Sequence, residues 1–268
     1  MLAGTPSTDT PRSAMSLLSR RATLTTAAIL VGLAAAAWLL TWRQAAGMPL
    51  SGLSAPLFMA MWLTMMVAMM FPTVAPMVLA HRMVVLKRGG GSLPSIVFAA
   101  GYLSVWTAIG FVPLAGLLFF QAMAPDLNPK WLGLAAGAAL VLAGLYQFTP
   151  WKTFCLKGCR TPLGFVLTHD FGGGSPAAYR AGVSHGLYCL GCCWALMAVL
   201  VIVGLMNLAW MAVIAVVFML EKNWRHGVGV SRVAGLSVLT LGIAVAVFPE
   251  LLRWLSGGMP QSFTGGHM

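Results

Sequence analysis

Residues 181–220 are forty consecutive positions without Asp, Glu, Lys or Arg, and no other feature constrains the fold as strongly. A bilayer core of about 30 Å is crossed by roughly 20 apolar residues in a helix. The stretch can therefore form two spans joined by a tight turn, which we place at 205–207. Over the whole chain 59% of residues are apolar and 8% are charged, whereas soluble domains average about 25% charged residues. The sequence predicts a polytopic membrane protein.

Seven apolar stretches are long enough to cross a bilayer as helices, the form in which a chain can pair its own backbone polar groups in lipid. They are residues 22–42, 56–80, 94–121, 131–149, 181–204, 208–225 and 233–252. The predicted fold class is all-α, a transmembrane helix bundle of about seven spans. The membrane domain would cover 22–254, between an N-terminal tail at 1–21 and a flexible C-terminal tail at 255–268. The first stretch has no convincing cleavage site, so we expect a retained signal anchor.

The basic residues predict the orientation of these spans. Of the 16 Lys and Arg residues, only Arg43, Lys130 and Arg253 lie on one side of the predicted membrane, and thirteen lie on the other. Because cytoplasmic loops are rich in Lys and Arg, the N-terminus is predicted to be cytosolic and the C-terminus external. The net charge of +11 is spread over the ends of the spans and forms no stripe, so no nucleic-acid partner is expected. The longest cytosolic loop, 150–180, is too short for a catalytic domain.

A histidine and three cysteines lie near the start of the fifth predicted span, with the spacing His185-x3-Cys189-x2-Cys192-Cys193. Residues three or four apart are neighbours on a helix, so His185, Cys189 and one of the two adjacent cysteines would share a face. Thiolate and imidazole suit soft or borderline ions such as Cu(I) and Zn(II). The alternative is that the cysteines pack as small apolar residues. We favour the metal site because ionisable groups are costly in a membrane.

A run of methionines in the second predicted span forms a helical stripe with a histidine. Its members, spaced by seven, four, seven and four residues, are Met59, Met66, Met70, Met77 and His81. Thioethers bind Cu(I) and compete weakly for Zn(II), Mg(II) or Ca(II). Methionine also fills irregular gaps between packed helices, so packing is the alternative.

Glu221 is the only acidic residue predicted to lie well inside a span. It is a candidate ligand, or else half of a structural ion pair with Lys222, Arg225 or Arg180. We expect the Lys222 side chain to extend outward toward the membrane surface.

The helical rise of 1.5 Å per residue predicts which candidates lie at the same depth. Met70 would be level with Cys189 and Cys192. A shallower layer would hold Met77, His81, His185 and Glu221. These layers form one site only if the second, fifth and sixth spans touch, which we adopt as a hypothesis.

A second pair of cysteines, Cys155 and Cys159, lies in the cytosolic loop. Thiols stay reduced in the cytosol, so metal docking or redox chemistry is expected more than a structural disulfide. Neighbouring Lys157 and Arg160 would favour the thiolate form. The absence of any special role stays open as the third alternative.

Three segments carry a resemblance to a known family: WLTMMVAMMFPTVAPM at 62–77, YQFTPWKTFCLKGC at 146–159, and 184–224, which begins SHGLYCLGCCWALM. The chain resembles domain-of-unknown-function family 2182 (DUF2182), described as predicted metal-binding integral membrane proteins. The likeness extends loosely over 56–252. The resemblance implies a multi-span bacterial membrane protein with a metal role, and copper handling is one such role. That role would be carried by Cys155, Cys159, Cys189, Cys192, Cys193 and Glu221.

We therefore predict a protein of the bacterial inner membrane that handles Cu(I), with Zn(II) or another thiophilic metal as the alternative cargo. It would act as a permease or a membrane metallochaperone. Its partners would be the lipid bilayer, the metal ion, and a soluble metallochaperone or a membrane metalloenzyme, and a homo-oligomer stays open. No phosphate-binding loop or Ser/His/Asp arrangement is present, so active pumping by this chain alone is not expected, and the favoured function is not enzymatic. Two rival functions remain: a membrane thiol–disulfide oxidoreductase, and a structural subunit of a membrane complex.

Overall fold

The computed structural model describes residues 10–47, 54–123, 129–162, 164–165, 174–205 and 207–255. The elements within these residues are helices, without a strand, so the predicted all-α class is confirmed. They are α1 (Thr10–Gly47), α2 (Ala55–Lys87), α3 (Leu93–Met123), α4 (Pro129–Tyr146), α5 (Pro150–Arg160), α6 (Gly174–Val203), α7 (Leu208–Asn223), α8 (Gly227–Val247) and α9 (Leu251–Leu255). Helix α1 begins inside the stretch predicted as an N-terminal tail, while 1–9 and 256–268 lie outside the described residues.

Among the described helices, five are long and apolar enough to cross a membrane: α1, α2, α3, α6 and α8. Helices α4 and α5 together would make a sixth, broken span, with a bend of 61° between them. Helix α7, with 16 residues, is shorter than the roughly 20 that a full span takes. The predicted count of seven is therefore not confirmed, whereas the long apolar helices are consistent with a multi-pass membrane protein.

The bend between α4 and α5 follows from a local sequence signal. The residue before a proline is disfavoured in helical conformation, and proline is favoured in a helix's first turn. Here Thr149 is extended, with φ −73° and ψ 150°, and its side chain accepts a hydrogen bond from the Lys152 backbone N–H, so α5 begins at Pro150. The stretch predicted as the plain loop 150–180 therefore opens with a helix that carries two cysteines.

The turn between α6 and α7 also has a clear sequence origin. Gly204 follows α6 with φ +118°, a backbone conformation that favours glycine. Asn207 then caps α7, and its side-chain oxygen accepts from the Trp210 backbone N–H at 3.3 Å. The tight turn predicted at 205–207 is thus bounded by a helix stop and a helix start, with Met206 outside the described residues.

Helices α2 and α6 form the centre of the bundle. In the most apolar segment of each of these two helices, 56% is buried inside the protein. The corresponding share is 17% in α1, 22% in α3 and 28% in α8. Helix α6 packs against α3, α4 and α5, and α2 packs against α1, α3 and α7. Gly101 and Gly182 let α3 and α6 approach, because a Cβ at either position would overlap a backbone oxygen of the other helix. The candidate ligands on α2 and α6 are therefore the most deeply enclosed.

Candidate metal centre

Three cysteine sulfurs form the one group of three or more His, Cys, Asp or Glu ligands found among the described residues. Cys159 on α5 joins Cys189 and Cys192 on α6, and all three Sγ atoms lie within 4.8 Å of one another. The Sγ atoms of Cys159 and Cys192 are 3.7 Å apart. Cys193 adjoins the group, with its Sγ 3.4 Å from that of Cys192. We call Cys159, Cys189 and Cys192 the thiol centre.

The dimensions of the thiol centre fit a thiophilic ion. Metal–thiolate bonds of about 2.3 Å place the sulfurs of a planar three-coordinate site about 4.0 Å apart. The 3.7 Å separation of the Cys159 and Cys192 sulfurs is close to that spacing, and no two sulfurs of the group are more than 4.8 Å apart. Thiolate donors select soft ions such as Cu(I) over Mg(II) or Ca(II).

The cysteines differ in their access to the surroundings. Cys189, Cys192 and Cys193 are buried, whereas Cys159 is partly exposed. The only partly enclosed member of the thiol centre therefore comes from the short helix α5.

Helix α5 reaches α6 at a glycine. A Cβ at Gly191 would overlap the Sγ of Cys155, so only glycine accommodates this approach without a shift. The Tyr146 hydroxyl donates to the Gly191 carbonyl at 2.7 Å and holds the end of α4 at the same place. The two cysteines predicted as one cytosolic pair thus have separate positions: Cys155 packs on Gly191, and Cys159 joins the thiol centre.

Lys222 on α7 points into the bundle and touches the thiol centre. It is 6% exposed, and its Nζ lies 3.1 Å from Cys189 Sγ and 3.1 Å from Thr73 Oγ1. The Sδ of Met70 is 3.9 Å from the same nitrogen, and the Phe218 ring centre is 5.6 Å away. The prediction that this side chain extends outward is wrong, because buried thiol and hydroxyl groups provide hydrogen-bond acceptors inside.

The contacts of Lys222 bring three helices together as hypothesised. Met70 on α2 and Cys189 on α6 both meet the ammonium group of α7, so they lie at the same level. Tyr102 on α3 adds a fourth helix, with its hydroxyl 3.1 Å from Cys189 Sγ. Sequence reasoning missed Tyr102, which belongs to no motif. For Lys222 the available signal was its position beside Glu221.

Glu221 forms a buried ion pair with Lys152. Its two carboxylate oxygens accept from Lys152 Nζ at 2.9 and 3.0 Å, and both side chains are at most 1% exposed. Lys152 also donates to the side-chain oxygen of Gln147. The expected partners Lys222, Arg225 and Arg180 are therefore corrected to Lys152, a residue assigned to the loop. A metal role for Glu221 stays a prediction, while its geometry matches the structural alternative.

The two candidate histidines lie around one aromatic ring, outside the three-sulfur group. His81 stacks on Phe98 with 4.8 Å between ring centres, and His185 lies 6.2 Å from the same ring. His185 also adjoins Phe165 at 5.3 Å and Tyr102 at 5.9 Å. The expected shallow layer thus brings His81 and His185 together around Phe98.

The methionine stripe is buried, but burial does not distinguish it from packing. Met59 is partly buried, and Met66, Met70 and Met77 are fully buried, as are the neighbours outside the stripe, Met61, Met65 and Met69. Met70 contacts the site through Lys222. A metal role for Met66 and Met77 stays a prediction.

A family model described as a copper chaperone, PpoB2, matches residues 59–245, a range that contains the whole thiol centre and Lys222. No curated protein and no solved structure matches this chain. The matching family carries a different name from family 2182, and the common ground between the match and the sequence resemblance is a copper-related role.

Proposed function

Because this chain belongs to the PpoB2 family of copper chaperones, we propose that it is a membrane copper chaperone that binds Cu(I) through the thiol centre. The observation that carries the proposal is the enclosure of three cysteine sulfurs within 4.8 Å of one another, on two helices of an apolar bundle. Thiolates are soft ligands that hold Cu(I) well, and the apolar surroundings limit access of competing hard ligands.

In the proposed mechanism, Cu(I) is cargo that enters and leaves by exchange of thiolate ligands. Cys159 is the partly exposed member, so it would take the ion first from a donor protein. Cys189 and Cys192 would then hold it deeper in the bundle. The buried Lys222 ammonium, 3.1 Å from Cys189 Sγ, would attract the negative charge of the metal–thiolate complex. Delivery to a membrane metalloenzyme would reverse these steps.

The family description favours delivery over permeation, and we propose the bacterial inner membrane as the location. The thirteen basic residues predicted on one side orient the chain with the α5 cysteines toward the cytosol. A soluble metallochaperone could then meet Cys159 on that side. Zn(II) is the alternative cargo, because thiolates also bind it.

A thiol–disulfide oxidoreductase is the second candidate function, and one distance favours it. The Sγ atoms of Cys159 and Cys192 are 3.7 Å apart, and a disulfide would need an approach to about 2.05 Å. This candidate predicts a cysteine pair that cycles between thiol and disulfide, and it assigns no role to a metal ion.

The test is copper binding by the purified full chain in detergent, under anaerobic and reducing conditions. Wild-type protein loaded with Cu(I) and then desalted should retain about one ion per chain by elemental analysis. The triple variant Cys159→Ser/Cys189→Ser/Cys192→Ser should lose it. Cys155→Ser is the matched control, since it removes a thiol from the same helix outside the thiol centre.

Two results would count against the proposal. Absence of copper from the loaded wild type would contradict the copper function. Equal copper content in the wild type and the triple variant would show that the thiol centre is not the binding site. A titration of free thiols on the same samples separates the redox candidate, which requires reversible loss of two thiols in wild-type protein without metal.

A further inference from the structure

Among the buried charged side chains of the described residues, Lys222 is the one without a carboxylate partner. The others are Lys152 and Glu221, and they neutralise each other through hydrogen bonds of 2.9 and 3.0 Å. The contacts of the Lys222 Nζ are the Cys189 thiol, the Thr73 hydroxyl, the Met70 thioether and the Phe218 ring. A cationic side chain within an apolar bundle is costly unless a negative charge lies nearby. The thiol centre is the group placed to supply that charge.

The charge of a bound metal complex depends on how many thiolates hold the ion. Cu(I) with two thiolates carries a charge of about −1, and with three thiolates about −2. Zn(II) with two thiolates is neutral, and with three it carries about −1. Lys222 contributes one positive charge, so two-thiolate Cu(I) is neutralised by it, whereas three-thiolate Cu(I) leaves an excess negative charge in a medium of low dielectric constant.

We propose that Lys222 is the counter-ion that fixes the resting copper complex at two thiolates, Cys189 and Cys192, and leaves Cys159 as the exchange ligand. The inference rests on the proposed copper function and deepens it. Cys189 is chosen because Lys222 contacts it at 3.1 Å, and Cys192 because it is buried on the same helix. Cys159 is partly exposed and lies on a different helix, α5.

Copper uptake under this scheme forms two Cu–S bonds to this chain, breaks the bonds to the donor's thiolates and transfers no electron. Any proton still held by a ligand sulfur leaves to water when that sulfur binds the metal. During transfer Cys159 binds the ion as a third ligand, and this three-coordinate intermediate resolves when one of the other Cu–S bonds breaks. Cys159 regains its proton and leaves once Cys189 and Cys192 hold the ion alone. Zn(II) would reach neutrality with Lys222 only by binding all three thiolates, which would leave no exchange ligand. Lys222 thus determines selectivity and the ease of transfer together.

The test compares Lys222→Met, which removes the charge and keeps a long side chain, with Lys222→Arg, which retains the charge. Lys87→Met at the end of α2 is the matched control, because it removes an exposed lysine outside the site. Cu(I) affinity is measured on the full chain in detergent by competition with a chromophoric Cu(I) chelator. Loss of a residue that supports the metal ligands typically lowers metal affinity by roughly 10- to 100-fold. We expect that loss in Lys222→Met, little change in Lys222→Arg, and none in Lys87→Met.

Two further readouts separate a counter-ion from a merely structural lysine. Copper X-ray absorption on the wild type should show two sulfur ligands, a measurement that needs no variant. Zn(II) competition should show that Lys222→Met lowers the affinity for Cu(I) more than the affinity for Zn(II). In that variant a two-thiolate zinc complex is neutral and has no unpaired ammonium beside it, whereas a two-thiolate copper complex has lost its counter-ion. Three sulfur ligands in the wild type, or unchanged Cu(I) affinity in folded Lys222→Met, would overturn the inference. The copper function would still stand if the triple cysteine variant lost the ion.

Discussion

The Lys152–Glu221 pair and the thiol centre are two buried polar sites that both receive residues from α5 and α7, yet their chemistry differs. Adjacent residues of α7 contribute to both: Glu221 to the ion pair and Lys222 to the thiol centre. Helix α5 also contributes to both, through Lys152 and Cys159. In the ion pair a hard carboxylate balances an ammonium group completely, whereas the second ammonium faces soft, polarisable sulfur.

The difference teaches that burial of a charge does not by itself indicate a functional site. A carboxylate and an ammonium with their hydrogen bonds satisfied within the protein leave nothing for a ligand to complete. The Lys222 ammonium contacts Cys189 of the thiol centre. The net charge of that centre changes when it loses protons and binds a metal ion. The ion pair therefore ties α5 to α7, and the thiol centre that α5 completes is the proposed copper site.

Removal of Lys152 should have the largest effect and should fall on stability. Lys152→Met leaves the Glu221 carboxylate buried without its partner, and breaking a buried pair costs about 3–5 kcal/mol. Replacement of both residues, Lys152→Met with Glu221→Leu, should recover most of that loss, because no charge is left unpaired. Denaturant unfolding in detergent measures both. Equal destabilisation of the fold by Lys222→Met and Lys152→Met would contradict the distinction between a structural ion pair and a metal site.

Gly191→Ala should have a smaller effect that reaches both stability and copper binding. The added methyl would overlap Cys155 Sγ, and overpacking of this kind costs about 1–3 kcal/mol. Displacement of α5 would also move Cys159 away from Cys192, so Cu(I) transfer to a chelator should change.

Gly116→Ala on α3 is the control for that glycine, since a Cβ there meets nothing within 4 Å. Thermal unfolding and the rate of copper transfer should be unaffected in the control. An identical response of the two glycine variants would mean that the close contact of α5 with α6 does not position the exchange ligand.

Tyr102→Phe should have the smallest effect, confined to metal binding. It removes the hydroxyl 3.1 Å from Cys189 Sγ, and a hydrogen bond of this kind is worth about 0.5–1.5 kcal/mol, or roughly 2- to 10-fold in affinity. Tyr179→Phe removes a hydroxyl that donates to Ser104 Oγ at the same distance but on an exposed surface, and it should leave copper affinity unchanged. A Cu(I) competition assay compares them, and equal affinity in both variants would exclude Tyr102 from the site.

Local patterns predicted much of this molecule. Helical spacing predicts a common face for Cys189 and Cys192, which share the thiol centre, whereas His185, predicted on the same face, is not part of it. The rise per residue predicts Met70 at the level of Cys189, and both contact Lys222. Both conclusions need only the regular geometry of a helix. They hold because an apolar chain in a membrane must satisfy its backbone hydrogen bonds within helices, so the helical geometry is regular.

The errors came from long-range contacts. Cys159 is 30 residues before Cys189, and spacing alone leaves it in a separate cytosolic pair, because helical spacing carries no information from the end of α5 at Arg160 to the start of α6 at Gly174. Lys222 was expected to extend outward, since a lysine near a span end usually does so. Its inward position depends on acceptors from α2 and α6 that no local pattern reveals.

The sequence by itself determined the helical class, the membrane character and the soft donor atoms on offer, because composition and periodicity act along the chain. The tertiary structure decided which sulfurs meet, which of two adjacent charged residues of α7 is paired with an opposite charge, and which cysteine of the thiol centre stays partly exposed. Those outcomes depend on close helix approach at glycines such as Gly191 and on pairing of buried charges between helices. Such pairing is a property of three-dimensional packing, since each charge is stabilised only by the partner that another helix brings.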